Sequence, residues 1–380
     1  MNPKTFCIYP FMQTVIRTNG GIGPCCLIPN MGNIQQTTVK DFWHSKQMSD
    51  MRDTMLNTSH SLPDCQQCYS HEESIGSSMR TQALTDYKFF NEKFYKKLLT
   101  HFNYEQCDFP TRLEIHVGNL CNLKCLTCCP ADSSALLTED KILKITNYDQ
   151  SDFQIDEDTL EQNLKDLTQH KIEMLDLRGG ESMLSPVIKK FLTQLPDTIY
   201  NNTILRIQTN GTVLDQTWKD ILSKFNQVEL MLSIDAYGKD NEYIRFPSKW
   251  SDIERNVDYF QQLTNIKMYV NCTISNINFL VLDKLISWCR EKNLYFHWTL
   301  LTIPSYYHYQ NMPDSLLKQG FEKISQYTEL AEFKKYNSIE NGSSTQLWQE
   351  FCSMISRRDS YRKNNIFSML PEYEPYWRTK

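Results

Sequence analysis

The stretch Arg112-Leu-Glu-Ile-His-Val117, running into Gly118-Asn-Leu-Cys121-Asn-Leu-Lys-Cys125-Leu-Thr-Cys128-Cys129-Pro130, decides how this chain is read. Its first six residues form a short run of the kind that makes a strand. Five comparable apolar, β-branched or aromatic runs follow: Ile172 to Leu177, Ile204 to Gln208, Val228 to Ile234, Ile266 to Ile274 and Leu294 to Leu300. Helical patterns lie between them. Asp158 to His170 carries Leu160, Leu164 and Leu167 at spacings of four and three, and Leu184 to Leu195, Leu214 to Phe225, Ile253 to Leu263 and Leu280 to Glu291 behave alike. Ser185-Pro186 and Ser251-Asp-Ile-Glu read as helix starts. Strands alternating with helices imply a parallel sheet with right-handed crossovers. Six units fall short of the eight of a closed barrel. The expected fold is therefore α/β, a partial (β/α)6 TIM-like barrel over 110–305.

Two regions lie outside this alternation. Residues 1–109 are rich in cysteine and lack a regular period, and are expected to form a separate N-terminal domain. Residues 306–380 are expected to be a helical C-terminal extension, with Leu316 to Leu330 and Gln346 to Ile355 as its best helices and 358–380 as an extended tail over the barrel. The 380 residues, 40% hydrophobic and 12% aromatic, suffice for a large core and exclude a disordered or fibrous chain. A net charge of −5 argues against nucleic acid held by broad electrostatics. No apolar run approaches the ~20 residues of a membrane span. The first residues lack the layout of a signal peptide. A cytoplasmic protein with reduced thiols is expected.

Thirteen cysteines then need a use. Ten lie at or before Cys129, which suggests metal binding rather than scattered core thiols. Cys121, Cys125 and Cys128 fall within one loop at the C-terminal end of the first strand, where β/α folds build active sites. Thiolates are soft ligands suited to an iron–sulfur cluster or to zinc. Cys129, adjacent to Cys128, reads as a neighbour rather than a ligand.

This loop resembles the radical SAM enzymes, whose signature is CxxxCxxC after the first strand of a six-unit partial barrel. Further matches follow in order. Gly179-Gly180-Glu181 looks like the GGE motif that receives the amino group of S-adenosylmethionine (SAM), where glycine lets backbone approach the ligand. Thr209-Asn210-Gly211 looks like TNG. Ser233-Ile-Asp235 looks like SxD, which lines the ribose and methionine. Arg245 matches an arginine that can meet the SAM carboxylate. Thr273 and Asn278 stand at a comparable place after the fifth strand. The sequence departs from the family at Thr127, where an aromatic residue often packs on adenine. The resemblance implies a SAM-binding 4Fe–4S cluster on Cys121, Cys125 and Cys128, one iron of which lacks a protein ligand. It also implies SAM as cosubstrate, reductive cleavage to a 5′-deoxyadenosyl radical, and a reducing partner such as flavodoxin or ferredoxin.

The first 80 residues hold a second constellation. Cys7-Ile-Tyr-Pro10-Phe11, Gly20-Gly-Ile-Gly-Pro24-Cys25-Cys26, Gly32-Asn33, Asp41-Phe-Trp43-His-Ser45 and Cys65-Gln-Gln-Cys68 come in turn. This is similar to the SPASM/twitch domains of radical SAM enzymes, though here it precedes the barrel. The resemblance implies a second, auxiliary 4Fe–4S cluster on Cys7, Cys65, Cys68 and either Cys25 or Cys26, the order Pro24-Cys25 favouring Cys25. A zinc site would use the same four thiolates.

The expected activity is hydrogen abstraction from a peptide, a protein or a small metabolite. The alternatives are a non-catalytic zinc- or iron–sulfur-stabilised binding protein and an electron carrier. Of the remaining residues, His116 is expected to be packed or hydrogen-bonded. His297-Trp298 faces either the lumen or the core, and Cys272 is expected to be a small buried thiol. Cys107, Cys289 and Cys352 carry no spacing signal.

Overall fold

The structure, a computed structural model, describes residues 5–57, 60–90, 108–149, 155–336 and 344–377. Cys107 lies outside them. Nine strands form one open sheet: β1 (Gln13–Ile16), β2 (Gly21–Gly23), β3 (Gly32–Asn33), β4 (Arg112–His116), β5 (Met174–Arg178), β6 (Ile204–Thr209), β7 (Gln227–Ser233), β8 (Ile266–Ile274) and β9 (Tyr295–Leu300). Their order is β3-β2-β1-β4-β5-β6-β7-β8-β9, with every pair from β1–β4 to β8–β9 parallel. The six strands read from the sequence are β4 to β9, and they make the open partial barrel.

The period of two assigns each strand's side chains to two faces. Leu113, Ile115, Leu175, Leu177, Leu205, Ile207, Leu230, Leu232 and Val270 are buried against the crossover helices. Those helices supply the matching stripe, among them Leu160, Leu164 and Leu167 from Glu157–Leu167 and Ile253, Val257 and Phe260 from Trp250–Phe260. The other face is polar. Glu114, Asp176, Arg206 and Glu229 lie side by side in register across four strands. Asp176 is buried and is met by Arg112 at 3.2 Å and Arg178 at 3.1 Å, while Arg206 pairs with Glu229 at 2.5 Å. Burial opposes the Asp176 charge, but these guanidinium groups outweigh it and hold its carboxyl below the usual range.

Helix starts follow from capping chemistry. Ser185 accepts from the Ile188 N–H with Pro186 at the first helical position, as expected. The helix expected to start at Ser251 instead begins at Trp250, whose N–H is accepted at 2.7 Å by Glu242 of the preceding helix, Lys239–Ile244. Residues 1–109 are more helical than their lack of period suggests, with helices at Val39–Trp43, Lys46–Asn57, Gln66–Ile75 and Met79–Phe90.

Two features differ from the sequence expectation. No break in the sheet separates the N-terminal segment from the barrel. β1 pairs in parallel with β4 over Gln13–Ile16, the β1–β2–β3 meander extends the sheet, and Ile16, Ile22, Val39, Phe42 and Trp43 join the barrel's core. A second, smaller core gathers Phe6, Cys7, Ile8, Phe11, Met51 and Met55. The C-terminus is also not an extended tail at residue 358. A helix runs over Thr345–Arg362 and short 3-10 turns follow at Ile366–Ser368 and Pro371–Tyr376. Among the described residues no helix is long and apolar enough to cross a membrane.

The C-terminal helix is fixed by charge. Glu139, fully buried, accepts from Arg358 at 2.7 Å and from Arg362 at 2.8 Å, and Arg358 also meets Asp140 at 2.8 Å. Arg362 donates a further bond of 2.6 Å to the Lys124 carbonyl, between the first and second strand-end cysteines. Removing one member of such a network strands the others without a counter-charge. Glu139→Ala should therefore cost about 3–5 kcal/mol of unfolding free energy, measured by urea denaturation of the purified chain. Substituting Lys141, which pairs with Asp149 at the surface, should cost under about 1 kcal/mol.

Candidate active site

At the C-terminal ends of β4 to β8 the inner face opens into a cavity of about 540 Å³, within the range of small-molecule sites. Cys121, Cys125 and Cys128 form one wall. Gly179 and Gly180 form another, and Asn210, Ser233 and Arg245 close the far side. Thr273, expected at a comparable place, also lines it, whereas Asn278 is buried behind, donating to the Asp235 and Thr273 carbonyls. His116 reaches the cavity with its Nε2 2.9 Å from the Glu114 carboxylate, the hydrogen-bonded state expected of it.

The cysteine loop has no regular structure of its own, and its neighbours shape it. Gly180 N–H donates to the Gly118 carbonyl and Glu181 N–H to the Leu120 carbonyl, both at 2.8 Å, so the ends of β4 and β5 stay zipped beyond the strands. Leu126 N–H donates to the Ile244 carbonyl at 2.9 Å, and Lys124 N–H to Phe246 at 2.6 Å. This explains the glycine pair differently from the sequence argument. A Cβ on Gly180 would sit 2.3 Å from the Leu120 carbonyl oxygen. One on Gly179, whose φ is +105°, would sit 2.7 Å from that of Gly118. The close approach that requires glycine is to the cysteine loop itself.

Two acidic motif residues face away from the cavity. Glu181 is buried. Its Oε1 accepts from Met183 N–H at 3.1 Å and Thr209 Oγ1 at 2.7 Å, and its Oε2 accepts from Asn210 N–H at 2.7 Å. It ties the β5 turn to the β6 turn, and only the glycines of that motif line the cavity. Asp235, also fully buried, accepts from Thr273 N–H at 2.8 Å, from Thr127 Oγ1 at 3.0 Å and from Arg245 at 2.9 Å. Thr127 is thus a hydrogen-bond donor that holds the cysteine loop to the turn after β7, which gives its hydroxyl a use. Arg245 in turn lies 3.8 Å from the Cys125 sulfur, and its Nε has no partner among the described residues. Burial disfavours the Arg245 cation, but Asp235 outweighs burial and keeps it charged.

The chemistry of the donor set fits an iron–sulfur cluster. Burial raises the thiol pKa of Cys121 to about 12 and raises those of Cys125 and Cys128. These sulfurs are held as thiols unless a cationic group arrives, and bound metal supplies that charge. Cys129 differs: it is exposed and donates to Asp132 at 3.4 Å.

The N-terminal cysteines gather at the opposite end of β4. Cys7, Cys25, Cys65 and Cys68 lie within electrostatic range of one another, and burial followed by this mutual repulsion raises Cys65 to about 12. Cys26 turns the other way. Its sulfur lies 3.7 Å from Met79 Sδ, and it feels Glu114 and Arg178 of the barrel. The two adjacent side chains thus have different neighbours. Among the described residues no three His, Cys, Asp or Glu converge on a single metal ion.

Sequence reasoning missed the arginines that shape this end. Arg17 donates to the Cys25 carbonyl at 2.9 Å and to Ile28 at 2.6 Å. Arg80 donates to the Phe6 carbonyl at 2.6 Å, and Arg52 to Pro10 at 2.7 Å. Isolated arginines give no spacing signal. Cys272 is buried on the helix-facing side of β8, as expected. His297 projects from the inner face and Trp298 from the outer, where it packs edge-on against Phe333.

Residues 7–69 match the family SPASM, an iron–sulfur cluster-binding domain. Over 186 residues the chain is 25% identical to molybdenum cofactor biosynthesis protein 1 of Dictyostelium discoideum, a match covering 48% of this chain and 27% of that protein. It thus spans about a quarter of that curated relative's length. Partial structural overlays are found with native anSMEcpe with bound AdoMet (18% identity, TM-score 0.41, 58% of this chain and 60% of that one). They are also found with Streptococcus suis SuiB bound to precursor peptide SuiA (15% identity, TM-score 0.41, 66% of this chain and 61% of that one).

The loop contacts separate two glycine substitutions. Gly180→Ala should cost roughly 3 kcal/mol, because backbone must move. Gly211→Ala should cost roughly 1 kcal/mol, for a left-handed φ alone, since φ there is +74° and the nearest side-chain atom is 3.6 Å away. Denaturant unfolding of the two variants measures both.

Proposed function

We propose, for a chain that belongs to the radical SAM superfamily and carries a SPASM-type iron–sulfur segment at residues 7–69, an enzyme that abstracts hydrogen from a peptide or protein. Its cofactors are those of the class: a SAM-binding 4Fe–4S cluster, a second 4Fe–4S cluster and SAM. One observation carries the activity. The three closely spaced thiols share a single cavity with the glycine turn of β5, Asn210, Ser233 and Arg245. An electron carrier or a structural metal site has no need of such a cavity.

In this proposal Cys121, Cys125 and Cys128 ligate the first cluster, and Cys7, Cys25, Cys65 and Cys68 the second. When bound and reduced, the first cluster supplies the electron that splits SAM into methionine and a 5′-deoxyadenosyl radical. The protein's part is placement. Arg245, kept cationic by Asp235, lines the cavity and offers its guanidinium charge to the carboxylate of SAM. The backbone of Gly179 and Gly180 and the side chains of Asn210 and Ser233 offer polar contacts to the rest of that molecule. Glu181 and Asp235 act as positioning residues, holding the strand-end turns in register. A peptide or protein substrate is ranked ahead of a small metabolite by analogy with SPASM-bearing enzymes.

Anaerobic reconstitution with iron and sulfide should yield about eight irons per chain and 5′-deoxyadenosine on reduction with SAM. Alanine at Cys121, Cys125 and Cys128 together should abolish that product and leave about four irons. Cys25→Ala should also fall to about four, while Cys26→Ala should stay near eight. Stoichiometric zinc without SAM cleavage would sink the proposal.

A further inference from the structure

The sheet has two edges, and they differ. At one end β3 is two residues long, a length that itself discourages pairing. At the other, β9 presents Tyr295-Phe-His-Trp-Thr-Leu300, six residues with no charge and no proline. Natural edge strands are commonly blunted by charge, proline or bulges, and β9 has neither of the first two. Its alternate side chains Tyr295, His297 and Thr299 are exposed along the inner face. Its opposite side chains are partly buried, and Trp298 packs on Phe333.

The backbone groups can be assigned by parity. In a parallel pair the N–H and C=O of one residue point to the same side, and successive residues alternate. Leu301 N–H donates to the Ile274 carbonyl on β8 at 2.9 Å. Thr299, His297 and Tyr295 therefore also face β8, and Leu300, Trp298 and Phe296 face outward. No hydrogen bond to these three outward groups is formed by any other described residue.

The ends of this edge are marked. Ile303, just past its C-terminal end, is 83% exposed, and Tyr295, at its start, is 67% exposed; no large apolar side chains are more exposed among the described residues. Ile303 and Pro304 also line the mouth of the cysteine cavity. Backbone without a partner among the described residues thus runs for about 20 Å from an exposed aromatic ring to the cavity. We propose that β9 is a docking strand for an extended peptide, which adds to the sheet through the outward groups of Phe296, Trp298 and Leu300. Its alternate side chains pack beside Tyr295 and Ile303, and the residue beyond the docked stretch is delivered into the cavity. Backbone pairing gives affinity without regard to sequence, and the period-two contacts give selectivity. The occupant is a peptide rather than a second copy because the strand leads into the cavity, which a symmetric pairing of two such edges would leave without a role.

This inference rests on the peptide substrate named above, and the test separates the two. SAM cleavage by the unaltered protein without peptide tests the parent proposal. For the docking strand, the reconstituted full chain is used to select from a displayed library of random 12-residue peptides. Enriched peptides should alternate apolar and polar residues. They should slow hydrogen exchange at the amides of Phe296, Trp298 and Leu300, read at single-residue resolution. Leu300→Pro, which removes an outward donor but no bond to β8, should weaken them roughly tenfold or more. Tyr295→Lys, which leaves the backbone intact, should do the same, with iron content and thermal unfolding as controls of folding. Absence of enrichment, unchanged affinity in both variants, or protection confined to other elements would each overturn the proposal. So would outward amides already protected in a concentration-dependent dimer, which would assign the edge to a second copy.

Discussion

Three thiols must be kept close together on a loop with no secondary structure of its own, and the architecture around them meets that requirement. Backbone bonds from the β5 turn hold Gly118 and Leu120, and bonds to Ile244 and Phe246 hold Leu126 and Lys124. Thr127 is held by Asp235, and the Lys124 carbonyl by Arg362. Elements far apart in sequence therefore converge on eleven residues. Buried carboxylates serve at each junction, Glu181, Asp235 and Glu139, and each is matched by donors that satisfy it in the absence of water. Glu181 and Asp235 belong to motifs associated with ligand binding, yet here their oxygens are used within the protein.

Much of this was legible in the sequence because it rests on short-range pattern. The apolar runs of β4 to β9 and the stripes of the intervening helices carry the barrel. Ser185-Pro186 carries a helix start, and the cysteine spacings carry the two metal-binding constellations. What was not legible depends on partners distant in sequence. Nothing near Gly180 reveals that Leu120 will lie against it. Arg358 and Arg362 look like ordinary surface residues of a polar helix until Glu139 is brought beneath them. The helix Lys46–Asn57 escaped notice because its buried face is made of Met48, Met51, Arg52 and Met55 rather than a regular leucine stripe.

The choice between Cys25 and Cys26 shows the same division. Adjacent residues in a turn point in different directions, and composition cannot tell which joins Cys7, Cys65 and Cys68. Arg17 binds the Cys25 carbonyl and so holds the turn after β2. Cys26 is left facing Glu114 and Arg178, on the inner face between the two groups of thiols.

The parallel pairing of β1 with β4 has a geometrical consequence. Cys7 and Cys25 lie beside the start of β4, where Gln13 is level with Arg112 and its amide reaches the Pro24 carbonyl. The other thiols follow the strand's far end. A strand of five residues, about 16 Å long, thus runs between the two groups. A continuous ladder of hydrogen bonds acts as a ruler. It holds the two groups of thiols in fixed register, with the charges of Glu114, Asp176, Arg206 and Glu229 in a row on the inner face.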